Sequence, residues 1–142
     1  MPLFRPGKPW RVLSLAANYS PGSGARDFAF DSAADDGDWT GSGLTSQVVN
    51  VSGLYAVTWS LATTDASPTG TLVAGVQKNG AFVARQSNPT GFSLQTQSGA
   101  WTHQLLDGDT IKLRLSAFSA AKTFAAGECY LTLVRIGPVR WT

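Results

Sequence analysis

The sequence predicts an all-β chain folded as a sandwich or jelly roll, and three observations carry that expectation. Apolar and polar residues alternate at period two along several short runs, turn residues punctuate the runs at close intervals, and no stretch keeps a helical period. With 142 residues the chain suits a single domain around one core. No internal repeat or linker divides it.

The elements follow in order. Pro2, Pro6 and Pro9, set among Phe4 and Trp10, exclude a helix and predict an extended N-terminal arm. Such an arm either clamps a neighbouring assembly or stays loose, which makes Pro2, Phe4, Pro6, Pro9 and Trp10 candidate docking residues. RVLSLAANY (11–19) is the first strand, with Leu13 and Leu15 opposite Val12 and Ser14. Arm and first strand occupy residues 1–20, and the jelly roll proper 21–142. RDFAFD sets Phe28 and Phe30 on one side, and SAADDGDWTGSG (32–43) is a loop before SQVVNV resumes as strand. LYAVTWSLA places Tyr55, Val57, Trp59 and Leu61 on one face. TLVAGVQ and AFVARQ flank Asn79-Gly80, a pair that accepts two positive φ angles in a tight hairpin. Residues 87–99 read as loop and WTHQLL as strand. Asp107-Gly108-Asp109 turns into TIKLRLSAF, which alternates Ile111, Leu113 and Leu115 against Lys112 and Arg114. The count is about eight to ten antiparallel strands.

The final run, CYLTLVRI (129–136), is apolar on both faces: Cys129, Leu131 and Leu133 point one way, Tyr130, Val134 and Ile136 the other. A strand on the skin of a small sandwich keeps one wet face. Something must therefore cover the second face, either a partner or another part of the same chain. Charged residues make up only 14% of the chain, against roughly 25% in ordinary soluble domains, which favours association. The net charge of +2 is spread over single residues, so nucleic acid is not an expected partner. No apolar stretch approaches the ~20 residues that span a bilayer, and the start lacks the apolar segment of a signal peptide, so no membrane is expected as a partner and a cytoplasmic origin is.

Catalytic chemistry finds few residues to work with. A Ser-His-Asp arrangement would have to use His103, the single histidine, and glycoside hydrolysis lacks a clear carboxylate pair because Glu128 is the only glutamate. One Cys and one His fall short of a zinc site. The chain is expected not to be an enzyme and to need no cofactor. Asp35-Asp36-Gly37-Asp38 offers clustered oxygens for a cation without matching an EF-hand, and reads more simply as an acidic turn. Trp39, Phe92 and Trp101 are candidate ligand-loop aromatics for sugar stacking, set against a role as core or interface anchors. Cys129 reads as a small buried hydrophobe.

Four motifs resemble the C1q and tumour necrosis factor family of trimeric jelly rolls. Gly53 to Trp59 is similar to its Gly-x-Tyr-x-Phe-x-Tyr strand, Val76-Gln77-Lys78-Asn79-Gly80 to its Lys-Asn-Gly hairpin, Leu105 to Leu113 to its Leu-x-x-Gly-Asp-x-Val-x-Leu segment, and Phe124 to Leu133 to its closing strand. The likeness covers roughly residues 26–136. It implies a ten-stranded fold and a homotrimer in which the last strand lies beside the three-fold axis, with Tyr130, Leu131, Val134 and Ile136 at the interface. The chain departs from the family in lacking a collagen-like stalk and in being rich in Ala, Ser and Thr. The arm, with its Pro-Trp pair, resembles instead the start of small virion proteins of tailed bacteriophages. The expectation is thus a non-catalytic homotrimeric virion module, assembled in a host cytoplasm, that sits on a tail or fibre or decorates a capsid beside other virion proteins. The alternative is a head that binds a host glycan or receptor through loops near Trp39, Asn88 to Phe92 and Trp101.

Overall fold

The computed structural model describes residues 9–22, 24–64, 72–88, 96–118 and 122–139. These form a two-sheet jelly-roll sandwich, all antiparallel, with no helix among the described residues. β1 (Trp10–Ser14), β4 (Ser32–Asp35), β6 (Gly53–Ala62), β9 (Thr96–Leu105) and β12 (Tyr130–Gly137) make one sheet in the order β4-β1-β12-β6-β9. The facing sheet runs β3-β10-β7-β8, from β3 (Arg26–Asp27), β10 (Thr110–Phe118), β7 (Leu72–Lys78) and β8 (Ala81–Asn88), with β5 (Ser46–Val48) also paired to β10. A short pair, β2 (Tyr19–Gly22) with β11 (Lys122–Phe124), closes one end.

Alternation explains why these runs pair as they do. Along β6 the buried residues Tyr55, Val57, Trp59 and Leu61 come at every second position, and β10 repeats the pattern with Ile111, Leu113 and Leu115. Leu13, Leu131 and Trp59 lie opposite one another across three strands, and Gly99 continues the row on β9. That glycine is a fitting requirement: a Cβ there would run into the Trp59 ring. At the closed end Phe28 meets Tyr19 and Phe124 edge-on, at centroid distances of 5.1 and 5.0 Å. The hairpin between β7 and β8 turns on Asn79 at φ 51° and Gly80 at φ 85°, as the Asn-Gly pair predicts. Asn79 Oδ1 also accepts the Thr110 backbone N–H at 2.9 Å, which ties the turn to β10.

Two stretches expected as loop are strands. Ser32 to Asp35 is a weak strand former that becomes an edge strand because β1 offers it a partner, with Leu13 opposite Ala33. Thr96 to Gly99 extends β9 because it pairs in register with Trp59 to Ala62. With the short β2 and β11, β4 raises the count to twelve segments, above the eight to ten expected.

Candidate functional site

The two sheets differ sharply in what they turn outward. On the β4-β1-β12-β6-β9 sheet, inward residues are fixed by Leu13, Leu131, Leu133, Val57 and Trp59, so the alternate positions face away from the core. These are Trp10, Val12 and Ser14 on β1, Ser32 and Ala34 on β4, and Leu54, Ala56, Thr58 and Ser60 on β6. Thr96, Ser98, Ala100, Thr102 and Gln104 continue the face on β9, and Tyr130, Thr132, Val134 and Ile136 on β12. No charged side chain stands among them. The facing sheet turns out Lys112 and Arg114 on β10, with Asp27 of β3 bridging both at 3.1 and 2.9 Å, and Arg85 on β8. One side of the sandwich is thus ionic and the other is not.

Within the uncharged face three large side chains stand proud: Trp10 is 39% exposed, Tyr130 40% and Ile136 49%. Val134, directly opposite Trp10, is half-buried beside them. Small residues flank the ridge, and the Thr58 and Thr132 hydroxyls bond each other across β6 and β12. At one end of the face lies an open cavity of about 510 Å³, lined by Ser60 to Thr64, Thr96, Glu128 and Tyr130. Among the expected interface residues, Leu131 is corrected: it has no exposed surface and packs between the sheets, because it shares the inward side with Leu133. The contributions of β1, β6 and β9 to this face escaped sequence reasoning, since strand order alone brings them beside β12.

Of the arm, Pro2, Phe4 and Pro6 lie outside the described residues. Pro9 is buried, with its carbonyl accepting the Arg135 N–H at 2.9 Å, and Trp10 opens β1; both belong to the sandwich. Trp39 is corrected as a ligand-loop residue. It is 5% exposed, its Nε1 donates to Asp36 at 3.1 Å, and its ring meets Tyr55 edge-on at 6.2 Å. Phe92 lies outside the described residues. Trp101 is half-buried against the core and stacks nearly parallel on His103, with centroids 5.2 Å apart. His103 is exposed and donates from Nδ1 to the Gln104 carbonyl at 3.0 Å.

The acidic stretch folds on itself. Asp35 accepts the Gly37 N–H at 2.8 Å and pairs with Arg11, while Asp36 accepts the Asp38 N–H at 3.3 Å. No group of three or more His, Cys, Asp or Glu among the described residues is placed to hold a metal ion. Asp109 shapes its turn by accepting the Leu106 N–H at 2.8 Å; burial pushes its carboxyl up, but that bond, Asn79 and Lys78 together hold it below the usual value. Cys129 is buried, and burial raises its thiol.

A polar cluster that sequence reasoning missed spans the interior. Arg11, 6% exposed, points between the sheets, where it pairs with Asp35 of β4, donates to the Gln47 side chain of β5, and donates to the Gly43 carbonyl at 3.0 Å. The signal was in the spacing, since Arg11 shares the side of Leu13 and Leu15.

No family pattern matches the chain, and no curated protein matches it in sequence. Solved structures do match in shape. The globular domain of zebrafish complement 1qA protein superposes with a TM-score of 0.70 at 14% identity, over 94% of this chain and all of that one. Murine APRIL superposes with a TM-score of 0.63 at 14% identity, over 91% of this chain and 98% of that one. At such identities the likeness defines the fold and nothing finer.

Proposed function

We propose that this chain is a non-catalytic structural module of a virion that works as a homotrimer, its copies meeting through the uncharged sheet face. The observation that carries the reading is the absence of ionic groups from the outward side of five strands, with Trp10, Tyr130 and Ile136 exposed on it. Charge depletion around exposed aromatic and aliphatic anchors marks interface cores. Burying ~800 Å² per subunit gives a gross gain on the order of ten kcal/mol over its apolar part, before association costs. The virion setting is supported by the likeness of the N-terminal stretch to small phage virion proteins, and residues 1–8 supply the attachment to the larger particle.

Two measurements test the reading. Sedimentation equilibrium is expected to return three times the 15.0 kDa chain mass at micromolar concentration; a clean monomer there removes the self-association reading. Antibody against the chain is expected to decorate intact particles, and its failure to find the protein in purified virions removes the setting.

A further inference from the structure

The ionic side of the sandwich, opposite the face assigned to self-association, carries a pattern of its own. Strand register lays two rows of outward residues across it. One runs Asp27, Arg114, Gly75, Arg85 over β3, β10, β7 and β8. The next runs Ser46, Lys112, Gln77, Phe82 over β5, β10, β7 and β8, and a register shift at Gln77 is what brings Phe82 to the side of Arg85. Asp27 bonds both Lys112 and Arg114, so one carboxylate serves two cations. Arg85 is exposed and pairs with no described carboxylate. Three cations, Arg85, Lys112 and Arg114, thus stand against Asp27 alone, a surplus of two positive charges.

Gly75 shapes the middle of the first row. A Cβ there would stand 2.0 Å from the Ala84 carbonyl oxygen and 2.8 Å from Arg85 Cγ, so only bare backbone lets the Arg85 stem lie across it. From there the side chain reaches the second row, where its guanidinium lies over the Phe82 ring, 5.0 Å from the centroid. Stacking holds the guanidinium fork in place and leaves its N–H donors for a ligand. Arg85 and Arg114 stand two strands apart, ~10 Å across the sheet, and Lys112 follows Arg114 at ~7 Å along β10.

The chemistry of this surface selects its partner. Trp10 and Tyr130, the aromatic members of the exposed large apolar residues, both belong to the other face, so this one lacks the anchors of a protein interface. The Phe82 ring is covered by Arg85, which leaves no platform for stacking a base. What remains is a sheet surface with fixed, separated cations and the half-buried Gln77 amide between them. Such a surface fits an extended, hydroxyl-rich polymer that carries carboxylates at intervals.

We propose that this face binds an acidic polysaccharide, with one uronate carboxylate taken bidentately by Arg85 and another, further along the chain, by Arg114 and Lys112. A planar carboxylate matches the guanidinium fork. Gln77 supplies amide hydrogen bonds to sugar hydroxyls between the two, and Asp27 keeps Arg114 and Lys112 oriented.

Fluorescence anisotropy of labelled oligogalacturonate on the full chain at low ionic strength tests it. Saturable binding is expected, weakened about tenfold or more by added salt and by full methyl esterification of the probe, which keeps the sugar backbone and removes its charge. Arg85→Gln and Arg114→Gln are each expected to weaken binding about fivefold or more, and Arg85→Lys, which keeps the charge but loses the fork, to fall between wild type and Arg85→Gln. Far-ultraviolet circular dichroism identical to wild type establishes that each variant is folded. No binding by the wild type, equal binding of the esterified probe, or folded variants that bind as wild type does overturns the proposal. An oligodeoxynucleotide or oligoglutamate of equal charge that binds as well as oligogalacturonate overturns the assignment to a polysaccharide. Anisotropy reads binding in any oligomeric state, so a monomeric chain that binds removes the self-association reading and leaves this site standing.

Discussion

Tyr55 shows how one buried side chain gives the fold a pH limit. Its ring has no exposed surface and its hydroxyl donates to the Val51 carbonyl at 2.6 Å. Burial pushes the phenol from 10.0 up to about 12; Arg135 opposes the shift, and Asp36 and Asp38 add to it. A raised folded-state value means that the contribution is complete below pH 10 and is lost as pH climbs through about 12. Urea midpoints taken across that window should lose about 3 kcal/mol of stability, and Tyr55→Phe should lack that component while starting about 1 kcal/mol lower at neutral pH. Gly99 is constrained by volume instead. Gly99→Ala places a methyl group against the Trp59 ring on the buried side of β9, and is expected to destabilise by about 2–3 kcal/mol in the same assay. The glycine was visible in the sequence, but its partner was not, because the pairing of residues 59 and 99 is a matter of strand register.

At the scale of elements, the weak strands are held by side chains from strong ones. β4 has only four residues of modest strand propensity, and Arg11 of β1 reaches its Asp35 while also gripping Gln47 of β5 in the facing sheet. Arg11→Met is expected to cost about 3 kcal/mol, because it strands buried polar partners, and to speed hydrogen exchange in β4 and β5 before the rest of the molecule. The long strands were legible from period two alone: β6, β10 and β12 fall where alternation placed them. β4 was not, since Ser-Ala-Ala-Asp carries no signal until β1 lies beside it. The start of β9 was hidden by a polar residue and a glycine on its inward side, Gln97 and Gly99, where the pattern demands bulk. Trp39 misled in the opposite way: an acidic, glycine-rich setting reads as exposed, yet the indole is held inward by Asp36 and Tyr55.

For the whole molecule, the question raised by the two apolar sides of the last strand has a partial answer inside the protomer. Leu131 and Leu133 face the core, and the outer side joins a wide uncharged surface drawn from five strands. Ile136 is its most exposed large apolar residue. Ile136→Asp is expected to leave the protomer folded, with an unchanged circular dichroism spectrum, and to shift light-scattering mass from trimer to monomer. Residues 129–136 alone could announce that the second side of the strand needs cover; the breadth of the surface became visible only when strand order set β1 and β6 beside it and β9 beyond. That order also bears on how the chain reaches its native state. β12 comes last in chain order among the described strands, yet it lies in the middle of its sheet, between β1 and β6, pairing Trp10 with Val134. A nascent chain stopped before Tyr130 holds two separated half-sheets with open edges and an unfilled core, so the fold cannot be completed in the order of translation. Closure waits for residues 130–137 to enter between β1 and β6, and until then the open strand edges are exposed to wrong pairing.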